Sequence, residues 1–174
     1  MKTTEIRLSR PEDLPAIERL YPDAFPDEDL LPLIRHLLAE EEDILSLVAE
    51  AGDDLTGHIL FTLCSVSGSD DRTALLAPLA VDPDWQRQGI GTALIREGLT
   101  RLEAAGINQV YVLGDPAYYA RSGFRPERSV PPPYPLPEKY RDAWQSLSLN
   151  AAPPPDQGKL LLPQVWMQPA LWGP

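Results

Sequence analysis

The stretch from Ala74 to Leu102 constrains this chain more than any other. Ala74-Leu75-Leu76-Ala77-Pro78-Leu79-Ala80-Val81 is an apolar run of strand length, and Asp82-Pro83-Asp84-Trp85 ends it. Gln86-Arg87-Gln88-Gly89-Ile90-Gly91-Thr92 then leads into Ile90, Leu94, Ile95, Leu99 and Leu102, spaced as the buried stripe of an amphipathic helix. Gly106 is a natural stop for that helix, and Gln109 to Leu113 supplies a second strand. A strand, a long helix and a strand in direct succession predict a parallel pair with a right-handed crossover. The first turn of such a helix carries backbone N–H groups without partners at the positive end of the helix dipole. Glycines let that backbone approach a phosphate with no Cβ in the way. The backbone from Arg87 to Thr92 is therefore a candidate pyrophosphate cradle. Taken alone, a Gly-x-Gly pair also serves as a plain tight turn.

The rest of the chain surrounds this unit. Glu5 to Leu8 reads as a first strand. Ser9 and Glu12 have capping-box spacing ahead of a helix with Leu14, Ile17 and Tyr21 on one side. A second helix is predicted from about Asp29 to Glu41, with Leu30, Leu33, Ile34, Leu37 and Leu38 on one face; Pro32 fits only in its first turn. Ile44–Ala49 and His58–Val66 are further strand runs. Gly52-Asp53-Asp54 and Gly68-Ser69-Asp70-Asp71 predict tight turns and an antiparallel meander. Residues 1–128 form the core of one domain. Residues 129–174 form a proline-rich extension of it, with Pro131-Pro132-Pro133 and Pro153-Pro154-Pro155 as stiff surface connections, and Ser146–Leu149 and Lys159–Trp166 as closing strands.

Composition narrows the function. A chain of 174 residues suits one domain. The formal charge of −11 argues against nucleic acid and against an anionic membrane surface, and would attract a cationic amine. The apolar stretches are too short for a membrane span, and Met1-Lys2-Thr3-Thr4-Glu5 lacks the apolar run of a secretory signal. With Cys64 as the sole cysteine, no internal disulfide can form, and a cytoplasmic location is expected. His36 and His58 are the only histidines, so no metal site is expected.

A Rossmann site wants a third glycine where Leu94 stands, and no Gly-Lys-Ser/Thr of a P-loop exists. What the segment resembles is the acetyl-CoA signature of the GNAT superfamily of N-acetyltransferases. That signature is Gln/Arg-x-x-Gly-x-Gly/Ala after a strand ending in Val-x-Pro, here Val81-Asp82-Pro83 and Gln86 to Gly91. A second match is Tyr-x-x-x-Gly-Phe, here Tyr119-Ala120-Arg121-Ser122-Gly123-Phe124, after the second strand. The wording Leu113-Gly114-Asp115-Pro116-Ala117-Tyr118-Tyr119 is most similar to the YhbS-like branch. The resemblance implies an α/β fold with a central, mostly antiparallel sheet, one parallel splayed strand pair and flanking helices. It implies acetyl-CoA as co-substrate, an acetyl group lodged where the pair splays, and a small-molecule or peptide amine attacking directly in a ternary complex. A homodimer is left open.

The resemblance also implies roles. The backbone of Leu79 would bind the thioester carbonyl, and that of Val81 the pantetheine arm. Amides of Arg87, Gln88, Gly89, Ile90, Gly91 and Thr92 would hold the pyrophosphate, with a further bond from the Thr92 hydroxyl. Tyr119 would protonate the departing thiolate, since a phenol is protonated at neutral pH. Two departures follow. Asp115-Pro116 stands where relatives have a cofactor-touching asparagine, although Asp115 is a sound N-cap. The strand to Val81 lacks the usual glutamate base, which leaves Asp82, His58 or water. A non-catalytic acyl-CoA-binding module is the alternative. Cys64 reads as a small buried hydrophobe and Tyr118 as a packing residue facing away from Tyr119. Trp85 would stack on adenine or cover its turn, and Trp144, Trp166 and Trp172 would line an acceptor site or close the core.

Overall fold

The computed structural model describes residues 3–40 and 43–173. It has an open sheet of mostly antiparallel strands in the order β1-β2-β3-β4-β5-β7-β6, with β8 beside β3. The chain forms two compact units. One comprises the described residues up to Phe61 with Ala77–Thr100, the other Thr62–Leu76 with the described residues from Arg101.

In the first unit, β1 (Thr4–Leu8) pairs antiparallel with β2 (Ile44–Ala51), Thr4 opposite Ala51 and Leu8 opposite Leu47. A 3-10 turn, Pro11–Asp13, leads into α1 (Leu14–Ala24), and α2 (Leu31–Ala39) follows. Pro32 sits in the first turn of α2, where its missing N–H leaves no helical bond unmade. The helix begins two residues after Asp29, and Glu41, the expected far end, lies outside the described residues. Ile17, Leu20 and Tyr21 from α1 and Ile34 from α2 pack with Val48 and Ala80. The expected cap at Ser9 is absent. Asp13 accepts from the Arg10 N–H at 2.7 Å, while the Ser9 hydroxyl donates to Ser46 Oγ at 2.7 Å. Asp13 wins because the Arg7 guanidinium grips both of its oxygens, at 2.8 and 2.9 Å, and also Glu50. That grip holds the Asp13 carboxyl below the usual carboxylate range.

Three elements run from one unit into the other: β3 (Asp54–Val66), β4 (Thr73–Val81) and α3 (Ile90–Ala104). β3 starts four residues before the predicted His58, since Asp54 follows the hairpin turn directly, with Gly52 at φ 63°. Helix α3 has the predicted stripe, with Ile90, Leu94, Ile95 and Leu102 buried and Leu99 half-buried. It ends in a Schellman motif around Gly106 (φ 84°), where the Ile107 N–H reaches Leu102 O at 3.0 Å and the Gly106 N–H reaches Glu103 O at 3.1 Å.

In the second unit, β5 (Gln109–Leu113) lies parallel to the start of β4, Thr73 opposite Gln109 and Leu76 opposite Val112. It also pairs antiparallel with β7 (Trp144–Ser148), and β7 with the short β6 (Arg125–Pro126). Between β5 and β6 stands α4 (Pro116–Ala120), capped by Asp115, whose Oδ1 accepts from the Ala117 N–H at 3.0 Å. The second closing strand is shorter than expected: β8 is only Leu160–Leu161, opposite Val66 and Ser65. Pro163 cannot continue a ladder, and Gln164–Trp166 turns into a 3-10 helix instead. Trp144, Trp166 and Trp172 are all buried, and their indole N–H groups donate to Val130 O, Thr62 Oγ1 and Trp166 O. They close the core of this unit.

Candidate functional site

The predicted cofactor residues from Leu79 to Thr92 all lie in the first unit. Leu79 and Val81 are half-buried at the end of β4. Asp82 stops the strand. Its N–H donates to Thr56 O at 2.9 Å, its carboxylate accepts from the Asp84 N–H at 2.9 Å, and its carbonyl accepts from Trp85 N–H at 2.8 Å. Gln86 folds back so that its Nε2 donates to Val81 O at 3.0 Å, tying the turn to the strand end.

The turn itself has an alternating hand. Gln86 is extended at φ −69°, Arg87 is left-handed at φ 63°, and Gly89 is left-handed at φ 83°. Gly89 O accepts the Ala93 N–H at 3.0 Å, so Gly89 caps α3. The N–H groups of Gly89, Ile90, Gly91 and Thr92 are thus the four without a partner inside the helix. Gln86 to Gly89 are exposed, and a Cβ on Gly89 would meet nothing within 4 Å. The residues fit a diphosphate. A left-handed arginine costs roughly 1–2 kcal/mol against its ordinary conformations and was not foreseen from sequence.

Two more glycines, also unforeseen, seat α3 in this unit. A Cβ on Gly98 would lie 2.2 Å from Phe61 Cε2. One on Gly57 would lie 3.0 Å from Leu94 Cδ1 and 3.1 Å from Ile90 Cγ2. Gly98 had a faint sequence signal as a glycine inside an otherwise good helix, whereas Gly57 lay just ahead of the predicted strand and had none.

His58 is not placed to act as the base. It sits in the middle of its strand rather than at an end, fully buried, with Nδ1 2.7 Å from Tyr21 Oη and Nε2 2.8 Å from Ser46 Oγ. Burial lowers its pKa to about 3 against a small opposing pull from Asp13, so the ring is a neutral core group. Asp82 keeps its place. It lines a cavity of about 460 Å³ with Asp23, Asp53, Asp54, Arg19 and Trp85. Trp85 is half-buried on that wall.

Tyr119 belongs to the second unit. Its ring stands edge-on to Phe124 (centroids 5.8 Å apart, 77°) and to Tyr118 (5.1 Å, 90°). Burial first, then Tyr118 and Asp115, hold its phenol well above the ordinary tyrosine value, so it stays protonated at physiological pH. Tyr118 does not face away as helical spacing suggested. The two long side chains swing together until the rings meet edge-on, and the Arg121 guanidinium covers the Tyr118 face at 5.8 Å. Cys64 is half-buried beside Thr73 Oγ1 at 3.2 Å, and burial pushes its thiol up to about 11, which leaves no nucleophile there.

Residues 13–124 match the acetyltransferase (GNAT) family, almost two thirds of the chain and both sequence motifs. The chain belongs to the GNAT family. Among curated relatives, it is 41% identical over 128 residues to the uncharacterized N-acetyltransferase YjhQ of Escherichia coli K12, covering 70% of this chain and 71% of that one. It is 37% identical over 122 residues to the uncharacterized N-acetyltransferase YhbS of the same strain, covering 68% and 72%. Solved structures agree. A Brucella melitensis GNAT family acetyltransferase in complex with acetyl-CoA superposes with a TM-score of 0.76 at 30% identity, over 95% of this chain and 99% of that one. Escherichia coli YhbS in complex with CoA gives 0.80 at 28% identity, over 97% and 94%. This GNAT chain is an acyltransferase of the YhbS-like branch.

Proposed function

We propose that acetyl-CoA is the donor and a primary amine the acceptor, joined by direct attack in a ternary complex. The observation that carries the reading is the exposed turn from Gln86 to Gly89, where two left-handed residues open α3 and its first N–H groups. That the Brucella relative was solved with acetyl-CoA, and YhbS with CoA, supports a diphosphate-bearing donor on this turn. The backbone of Leu79 binds the thioester carbonyl, that of Val81 the pantetheine arm, and the amides of Arg87 to Thr92 the pyrophosphate. The hydroxyl of Thr92 adds one bond.

The acceptor nitrogen attacks the thioester carbon, a C–N bond forms, and the C–S bond breaks. Tyr119 donates its proton to the departing sulfur. A thiolate is a weaker base than this phenolate, so the proton is shared in a hydrogen bond that tightens as charge builds on sulfur, and it returns to the phenol oxygen as the thiolate takes its own proton from solvent. The proton lost by the amine leaves through Asp82 or water. The four aspartates and Trp85 of the first unit's cavity, with the net charge of −11, support a cationic acceptor. Residues 129–174 act as part of the same catalytic domain, and the single Cys64 supports a reducing, cytoplasmic setting.

The test is turnover of acetyl-CoA with a panel of small-molecule and peptide amines, read as free CoA thiol and as mass of the acetylated product. An acetylated amine with stoichiometric thiol release is the expected result. Tight acetyl-CoA binding with no acetylated product from any amine would favour the acyl-CoA-binding module.

A further inference from the structure

We infer that Gly114 and Gln145 are positioning residues for the Tyr119 phenol, an assignment that rests on Tyr119 being the general acid. Gly114 is where β5 hands over to the turn before α4, and it is held at both ends. Its N–H donates to Ala143 O at 2.9 Å, and its carbonyl accepts from Gln145 Nε2 at 3.2 Å. The same carboxamide nitrogen also donates to Ala143 O at 3.2 Å. Gln145 is 1% exposed and lies in β7 opposite Val112, so its side chain is fixed by the sheet. A buried amide that satisfies two carbonyls at one strand exit sets the backbone path there.

The Tyr119 ring fills the space that a side chain at Gly114 would take. A Cβ built on Gly114 would lie 2.5 Å from Tyr119 Cε2, 3.2 Å from Cδ2 and 3.5 Å from Cζ. Phe124 and Tyr118 stand against the ring edge-on. The glycine is therefore required by the ring rather than by its own backbone, because Gly114 is not among the left-handed glycines. The phenol oxygen is carried at the far end of that ring, so a shift forced at Cε2 is passed on to the hydroxyl. Misplacement of a reacting group by about 1 Å can cost on the order of a hundredfold in rate.

The experiment is a double-mutant cycle of Gly114→Ala and Tyr119→Phe, with kcat, acetyl-CoA KM and acetyl-CoA affinity measured on each. Gly114→Ala alone is expected to lower kcat at least tenfold while KM and affinity change less than threefold. In the Tyr119→Phe background the same substitution is expected to leave kcat unchanged, since there is no phenol left to misplace. An equal fall in both backgrounds would overturn the assignment and make Gly114 a structural residue. An unchanged kcat in Gly114→Ala would overturn it too. An unchanged kcat in Tyr119→Phe alone would instead remove the acid reading on which it rests. Should Gly114→Ala fail to fold, Gln145→Met, of similar shape but without the donor, replaces it in the cycle. A several-fold fall in kcat that vanishes with Tyr119→Phe is expected, and a fall that persists overturns the assignment.

Discussion

Gly98→Ala tests how α3 is seated, with an outcome opposite in sign to helix propensity. Gly98 lies inside α3, where alanine is ordinarily worth about 1 kcal/mol more than glycine. Here the new Cβ would fall 2.2 Å from Phe61 Cε2 and 2.4 Å from Cζ. Carbon atoms prefer about 3.5–4.0 Å, so one partner must give by more than about 1 Å. Phe61 is fully buried and has no free volume to retreat into. Overpacking costs about 1–3 kcal/mol, and a displacement this large against a fully buried ring belongs at about 2–3, so the propensity gain of about 1 offsets only part of it. A net destabilisation of about 1–2 kcal/mol is expected in urea unfolding, with an unchanged m-value and a fall in Tm of roughly 2–8 °C for a chain of this size. Phe61→Leu in the same chain makes room, so the double variant is expected to lose at least about 0.5 kcal/mol less than the two single losses together. A Gly98→Ala protein as stable as the wild type, or more so, would refute the close seating of helix on sheet.

Acid should reveal His58. Its folded pKa is lowered to about 3 from 6.5, so the unfolded chain binds the extra proton, and the stability present above pH 6.5 drains away as pH falls toward 3. Between pH 7 and 5 that is about 2 kcal/mol, seen as the difference in urea unfolding between the wild type and His58→Gln; equal pH slopes would contradict a buried neutral imidazole. Gly89→Ala meets no atom but forces alanine to φ 83°, so a loss of about 1–2 kcal/mol is expected, together with weaker acetyl-CoA binding by calorimetry. Unchanged affinity in that folded variant would move the phosphate elsewhere.

Much of the fold was legible because its signals were periodic or local. The stripe from Ile90 to Leu102, the stop at Gly106 and the cap at Asp115 each rest on a few neighbouring residues, and each is present. Most of what stayed hidden depended on how side chains meet in the folded chain. Ser9 looked like a cap, but Arg7 and Glu50 draw Asp13 into that role. His58 looked available until Tyr21 and Ser46 closed on its two nitrogens. In the candidate site, Gly89 and Gly91 were readable from spacing, whereas the left-handed Arg87 was not, because nothing in an arginine announces φ 63°. Gly114 carried no signal of its own in the sequence. Only the Tyr119 ring, five residues on, explains why no side chain fits there.

Acetyl-CoA binding, followed by thermal unfolding beside NAD and ATP, tests the central claim most directly. A ligand selective for the native state stabilises it by mass action, about 2.7 kcal/mol at a hundredfold excess over Kd. Acetyl-CoA is expected to raise Tm by several degrees with micromolar-scale affinity, while NAD and ATP leave it where it was. No shift at saturating acetyl-CoA, with a shift from NAD or ATP in its place, would contradict an acetyl-CoA site on the turn from Gln86 to Thr92.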